Sequence, residues 1–464
     1  MSHPPPDPRR WRVLALLGIA QFMVILDVTV VNVALPTIGR ELDLADDGLP
    51  WLIAAYTLPF AALLLLGGRL ADFVGRRVVL LSGLGLFTVS SLASGLAGDA
   101  TALIAARVGQ GVGAAMLSPA ALSVVATLFA DPGERRRALT IWGAIGGAGG
   151  AAGLLLGGVL TQLLDWRAVF LINVPVGIAA IALVAAWLDP MRGTLRRLAD
   201  LDVVGAALAA AAFGGLVLGA NRAAADGWGA PIVWIALAAG AVALVAFAQV
   251  EKRVPSPLAP LDALRRPTLI AGTGMMLVGA GAMVSAFYLG SLQMQRGLGY
   301  DALETGLGFL PVMVAIAVGA HAGGHLAERV GVRSSAAIGL GVATAGELLL
   351  ALSIDGHGYL DGVLPGLIVL ALGLGGTFVS ATTTAMAGVA DEVSGLASGV
   401  TTTAHELGAS FGVAVLGAIG GGAAVASDVA DAFVVAGAVT ALATLVAALT
   451  FPRVALTERP AFGH

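Results

Sequence analysis

Gly68-Arg69-Leu70-Ala71-Asp72-Phe73-Val74-Gly75-Arg76-Arg77 lies between two strongly apolar, helix-length segments. A degenerate copy, Gly324-His325-Leu326-Ala327-Glu328-Arg329-Val330-Gly331-Val332-Arg333, recurs 256 residues later in the same setting. In both, glycines bracket an acid, and basic residues follow within a turn too short to fold by itself. Glycine permits a tight turn and a close approach of helices. An acid beside arginines can hold neighbouring helix ends until something pulls them apart. The spacing predicts two clasps, with Gly68, Asp72, Gly75, Arg76 and Arg77 in the first and Glu328 and Arg329 in the second. One clasp per half predicts a membrane protein whose two related halves move against each other.

Composition agrees with a membrane chain. The 464 residues are 58% hydrophobic and 12% charged, against roughly 25% charged in soluble domains. Apolar runs of about 20 residues match the length of helix that crosses ~30 Å of hydrocarbon. The net charge of −4 comes with no basic stripe or aromatic platform for nucleic acid. With no cysteine, the chain has no disulfide and no thiol chemistry. Lys252 is the only lysine, which removes any phosphate-binding loop that ends in Lys-Ser or Lys-Thr, and with it an ATP-driven motor within this chain. No nucleophile–base–orienter set or metal cluster is visible, so an enzyme is not expected, and no cofactor or metal is called for.

The apolar runs number about fourteen. Arg9-Arg10-Trp11-Arg12 opens the first, which is read as an uncleaved membrane helix rather than a signal peptide because it is long and carries Asp27. With the N-terminus placed in the cytoplasm, twenty of the 25 Lys and Arg residues fall on the inner side, four on the outer, and Arg107 inside a span. That bias fixes both termini in the cytoplasm of a multi-pass protein of the cell membrane. The expected architecture is all-α. Residues 1–190 form a six-helix bundle, 191–250 two additional central helices, 251–267 a proline-rich cytoplasmic linker, and 268–464 a second six-helix bundle.

The 68–77 stretch resembles the cytoplasmic loop motif of the major facilitator superfamily. Leu26-Asp27-Val28-Thr29-Val30-Val31-Asn32-Val33-Ala34-Leu35-Pro36 resembles the first-helix motif of its 14-helix drug:proton antiporter branch. Arg107-Val108-Gly109-Gln110-Gly111-Val112-Gly113 is similar to the fourth-helix motif with a buried arginine. Trp166-Arg167, Phe170 and Asn173-Val174-Pro175-Val176-Gly177 are similar to the start of the sixth helix in that branch. The chain departs from the family in its fifth helix, where Gly149-Gly150 and Gly153-Leu154 stand in place of Gly-Pro steps. The ridge Gly149, Gly153, Gly157 keeps its i, i+4 spacing for helix packing. His405-Glu406 stands where relatives carry an Arg-Gln pair.

Asp27, Arg107, Glu347 and Glu406 are the charged residues within spans. Each costs at least ~2.5–3.5 kcal/mol on insertion scales and so calls for a partner or a role. Asp27 and Arg107 lie roughly 13 Å and 9 Å below the outer ends of their helices, at depths that allow a salt bridge. One reading is a permanent pair that fixes helix register. The other, which the resemblance also implies, is a carboxylate that takes up and releases a proton. Glu406, ~16 Å deep, is either a second proton site or a neutral acid hydrogen-bonded between helices; His405 is expected to face another direction. Glu347 carries the same two readings. His321 and His325 are read as interface histidines, and the threonines at 382–384 and 401–403 as bonded back to their own helices. Gln21, Asn32, Thr402 and His405 are candidates for a substrate cavity.

These readings predict a proton-driven exporter of small lipophilic, cationic molecules, with membrane lipids and its substrate as partners. No ATP and no nucleic acid are expected. The alternative on the same fold is a dedicated exporter of a lipid, a siderophore or a self-made antibiotic.

Overall fold

The computed structural model describes residues 9–44, 48–129, 131–189, 201–255, 257–258, 265–354, 357–389, 394–420 and 426–452. Within them the regular structure is helical. The helices are α1 (Arg10–Glu41), α2 (Leu49–Val74), α3 (Arg76–Gly95), α4 (Ala100–Leu128), α5 (Pro132–Leu163), α6 (Ala168–Leu171), α7 (Asn173–Trp187), α8 (Val203–Asp226) and α9 (Pro231–Glu251). They continue as α10 (Pro267–Leu292), α11 (Ala302–Gly308), α12 (Leu310–Val330), α13 (Val332–Ser353), α14 (Leu364–Met386), α15 (Ser394–Gly420) and α16 (Ala426–Thr450). One π-turn, Gln293–Gly297, follows α10, and another, Tyr359–Val363, precedes α14.

Length and apolarity give twelve candidate membrane spans among the described residues, where the sequence counts about fourteen. Helices α6 and α7 count as one stretch, Ala168–Trp187, and α11 and α12 as another, Ala302–Val330. Helices α5, of which Ala148–Leu163 counts as a shorter apolar helix, and α15 are not among the twelve. Residues 138–163 of α5 carry no charged side chain, and α15 carries threonines, His405 and Glu406. Arg192, Arg196, Arg197, Arg453, Arg459 and the Asp391-Glu392 loop lie outside the described residues.

Helix ends follow local chemistry. Proline occupies the first turn of α2, α5, α9 and α10, where its missing N–H leaves no bond unmade. Asp99 and Asp131 cap α4 and α5 by accepting from the Ala102 and Glu134 amides at 2.8 Å. Asp301 and Glu304 form a reciprocal capping box on α11.

The chain divides into two compact units, one of residues 1–260 with 294–310, the other of 261–293 with 311–464. In the first, Leu14, Leu17, Tyr56, Phe87, Leu117 and Phe129 are fully buried. Glycine seams bring its helices together. A β-carbon on Gly153 would stand 1.9 Å from Thr29 Oγ1, and one on Gly157 2.6 Å from the Val30 carbonyl, so α5 lies directly on α1. Gly149 faces Phe22 and Ile25 on the same seam. Gly83 and Gly113 join α3 to α4, and Gly306 sets α11 on Leu154 of α5. In the second unit Gly346 and Gly373 join α13 to α14, and Gly408 joins α15 to α10.

Each unit contains one copy of the clasp. Gly75, with φ 115, turns the chain between α2 and α3, and Gly331, with φ 86, turns it between α12 and α13. The close approach expected of Gly68 falls on its neighbour: a β-carbon on Gly67 would sit 2.0 Å from the Ala115 carbonyl, while Gly68 has only an ordinary contact with Pro119. Asp72, near the end of α2, faces Arg76, the first residue of α3, at 3.8 Å. Arg77 donates to the Ala185 carbonyl of α7 at 2.7 Å, and Arg69 donates to the Pro257 carbonyl. In the second copy Glu328 faces His325 at 3.8 Å, and Arg333 Nε donates to the Ala448 carbonyl of α16 at 2.9 Å. Arg329 closes the last turn of α12.

Candidate functional site

Five long helices and the short α6 deliver polar or aromatic groups to one buried point in the first unit. Asp27 from α1 and Arg107 from α4 are 0% and 1% exposed and form an ion pair through Arg107 Nη1 and Asp27 Oδ2. Asp27 Oδ1 accepts from Asn173 Nδ2 on α7 at 2.8 Å and from Gln110 Nε2 on α4 at 2.9 Å. Both carboxylate oxygens are therefore engaged. Arg107 Nε donates to the Leu52 carbonyl of α2 at 3.1 Å, and Nη1 also meets Gln110 Oε1 at 3.2 Å.

A second ring of groups fixes the first. Gln110 Nε2 reaches Ser91 Oγ at 2.8 Å, and Ser94 Oγ donates to Gln110 Oε1 at 3.1 Å, both from α3. The guanidinium carbon of Arg107 stands 4.5 Å from the Tyr56 ring centroid and 5.7 Å from that of Phe170 on α6. Such faces attract a cation. Gly111 makes the placement possible, because a β-carbon there would lie 2.3 Å from the Tyr56 carbonyl. Trp166 Nε1 and Arg167 Nη1, just before α6, bind Glu41 Oε2 at the end of α1, at 2.8 and 3.2 Å. That tie carries Phe170 and Asn173 to the site.

A buried pair of this kind gains less from its attraction than isolated Coulomb energies suggest, since both charges have lost water. Removing one partner leaves the other charge uncompensated, at about 3–5 kcal/mol. The arrangement is therefore sensitive to any change in the charge of Asp27, which is the property a proton-operated contact needs.

The other sequence candidates fall elsewhere. Glu347 on α13 is 1% exposed and bonds the Thr440 hydroxyl of α16, which also meets Thr344 Oγ1 at 3.0 Å. Glu406 on α15 is buried, and its neighbour His405 does reach it, Nδ1 to Oε1 at 3.2 Å. Consecutive side chains point 100° apart on a helix, but these two are long enough to curl together, contrary to the expectation from direction alone. His405 also stands 6.1 Å from the Phe378 ring. Gln21 accepts from Ser118 Oγ at 2.9 Å. Asn32 Nδ2 bonds back to the Val28 carbonyl, as Thr402 does to Ser398, both at 3.0 Å. Thr382, Thr383, Thr384 and Thr401 bond back in the same way. His321 and His325 face each other with Nε2 atoms 3.2 Å apart.

Gln110, Asn173, Ser91 and Tyr56 belong to the site and were not singled out as such by sequence. Gln110 lies three residues after Arg107 and so shares its helix face; that spacing was the available signal. For Asn173 the signal was an amide in an otherwise apolar run.

The chain matches the sequence model of the Major Facilitator Superfamily over residues 17–413. It is 40% identical over 461 residues to the cephamycin export protein CmcT of Amycolatopsis lactamdurans, covering 97% of this chain and 94% of that one. It is 41% identical to the puromycin resistance protein pur8 of Streptomyces alboniger, covering 91% and 84%. Among solved structures, a bacterial homolog of the human lysosomal transporter Spinster shares the fold with a TM-score of 0.66 at 17% identity, covering 96% of both chains. The helical fold, the recurring clasp and these matches lead to one assignment: the chain belongs to the major facilitator superfamily.

Proposed function

We propose that the protein is a proton-coupled exporter of small lipophilic, largely cationic compounds that works by alternating access. In this reading about fourteen helices cross the cell membrane, with α5 and α15 completing the set, and both termini are cytoplasmic. The observation that carries the coupling is the enclosure of Asp27 by Arg107, Gln110 and Asn173. A proton on Asp27 removes the charge that Arg107 neutralises. The freed guanidinium then repels a cationic cargo or re-pairs elsewhere, and loss of the proton restores the contact. Glu406 with His405 provides a second titratable group, while the bonds of Glu347 to α16 favour a structural role for it.

A second reading is supported by the relatives, whose names specify antibiotic export and resistance: the protein exports one antibiotic made by its own host. Both readings use the same site and differ in cargo range.

The test is dye and antibiotic efflux from proteoliposomes under an imposed pH gradient. Collapse of the gradient should stop transport, and Asp27→Asn should reduce it to background. Wild-type rates in Asp27→Asn would sink the coupling assignment. A susceptibility panel separates the two cargo readings, since a dedicated exporter protects against one compound and a multidrug exporter against many.

A further inference from the structure

At the N-terminal ends of α1 and α5 the surface of the first unit opens into a recess of about 370 Å³. Trp11, Ala15, Ile19 and Phe22 line it from α1, and Ile141 and Ile145 from α5. Ile19 is 52% exposed, so this apolar face has no protein cover in its own unit.

The rim has the opposite character. On α1 the spacing Arg12, Ala15, Ile19, Phe22 puts an exposed arginine one turn before the recess on the recess face. On α5, Arg137, Ile141 and Ile145 repeat the arrangement at i, i+4, i+8. The guanidinium of Arg137 stands 5.3 Å from the Trp11 ring centroid, directly over one wall. The nearby acid, Glu134, is already taken by Arg10 at 2.8 Å, a bond that also ties the two helices together at the mouth. Arg12 makes no hydrogen bond or ion pair among the described residues.

We infer that this recess seats an anionic membrane phospholipid, with one acyl chain along Ala15, Ile19, Phe22, Ile141 and Ile145 and the phosphate on Arg12 and Arg137. The chemistry is that of a basic pocket between membrane helices at the headgroup level. Arginine suits a phosphate because its planar donors match two oxygens at once. Arg137 lies over the Trp11 ring, so head and tail of the lipid meet matching surfaces on the same two helices. A zwitterionic lipid offers the same phosphate but brings a choline cation that the two arginines repel, so the rim favours a net-anionic headgroup. The inference stands apart from the proton-coupling proposal, since it uses none of the residues around Asp27.

The test uses the purified full-length protein in detergent, with unfolding midpoints and native mass spectrometry recorded after addition of phosphatidylglycerol or phosphatidylcholine with identical chains. Phosphatidylglycerol is expected to raise the midpoint by about 2–4 °C more than phosphatidylcholine and to remain bound in the gas phase. In Arg12→Gln/Arg137→Gln, both exposed positions, that difference should vanish while the phosphatidylcholine response stays. Ala15→Phe, which fills the recess, should weaken the response to both lipids. Equal responses to the two lipids in the wild type, or a phosphatidylglycerol preference that survives the double substitution, would overturn the assignment. So would a shift that only puromycin produces and that Ala15→Phe removes, which would make the recess a cargo site.

Discussion

Asn173 and Gln110 donate to the same oxygen of Asp27, at 2.8 and 2.9 Å, from helices whose residues are 63 positions apart. The other oxygen of Asp27 belongs to Arg107. One carboxylate thus receives three side-chain donors from α4 and α7, and α1 cannot shift along either helix without breaking at least one of them.

Asn173→Ala removes one donor without removing charge. A hydrogen bond to a charged group contributes about 1.5–3 kcal/mol, so gradient-driven efflux should fall about tenfold or more. The measurement is the initial rate in proteoliposomes over a series of external pH values. A changed pH profile with an intact unfolding midpoint identifies a role at Asp27 beyond packing.

Arg107→Met leaves Asp27 buried without a counter-charge and should destabilise the first unit by about 3–5 kcal/mol. Adding Asp27→Asn to it removes the orphaned charge, so the double variant should be more stable than Arg107→Met alone. Unfolding midpoints of the wild type, both single variants and the double variant measure this directly.

Gly153→Val places a branched side chain where even a β-carbon would sit 1.9 Å from Thr29 Oγ1. The α1–α5 seam must open, and folded yield and unfolding midpoint should drop sharply. Gly85→Ala is the matched control, because a β-carbon there meets nothing within 4 Å; it should behave as wild type.

Gly75→Ala forces a β-carbon onto a residue with φ 115 and ψ 134. Strain in this glycine region costs about 1–3 kcal/mol. Gly331→Ala, at φ 86 and ψ 155, should cost a similar amount in the second unit. Thermal unfolding of both variants checks the equivalence of the two turns.

Much of this was legible in the sequence for a physical reason. A charge in hydrocarbon is expensive, so Asp27, Arg107, Glu347 and Glu406 stand out in apolar runs, and depth along the helix suggested that the first two meet. Neutral amides carry a far smaller penalty, which is why Gln110 and Asn173 gave no comparable signal although they complete the site. Helix rotation was also hidden, because spans apolar on every side have no periodicity to read. The glycine pairs show the same limit: Gly153 announces a close contact, but only the structure says that Thr29 is its neighbour and that Gly67, not Gly68, makes the closest approach to α4. At α15 the threonines, His405 and Glu406 dilute the apolar signal that marks a span.

Arg77 and Arg333 each grip a main-chain carbonyl, at Ala185 and Ala448, rather than an acid. Both acceptors are neutral main-chain oxygens, so neither fastening depends on the charge of a carboxylate. Each bundle can therefore keep its own shape while carboxylates elsewhere in the molecule change state, as a hinge keeps its pins while the door swings.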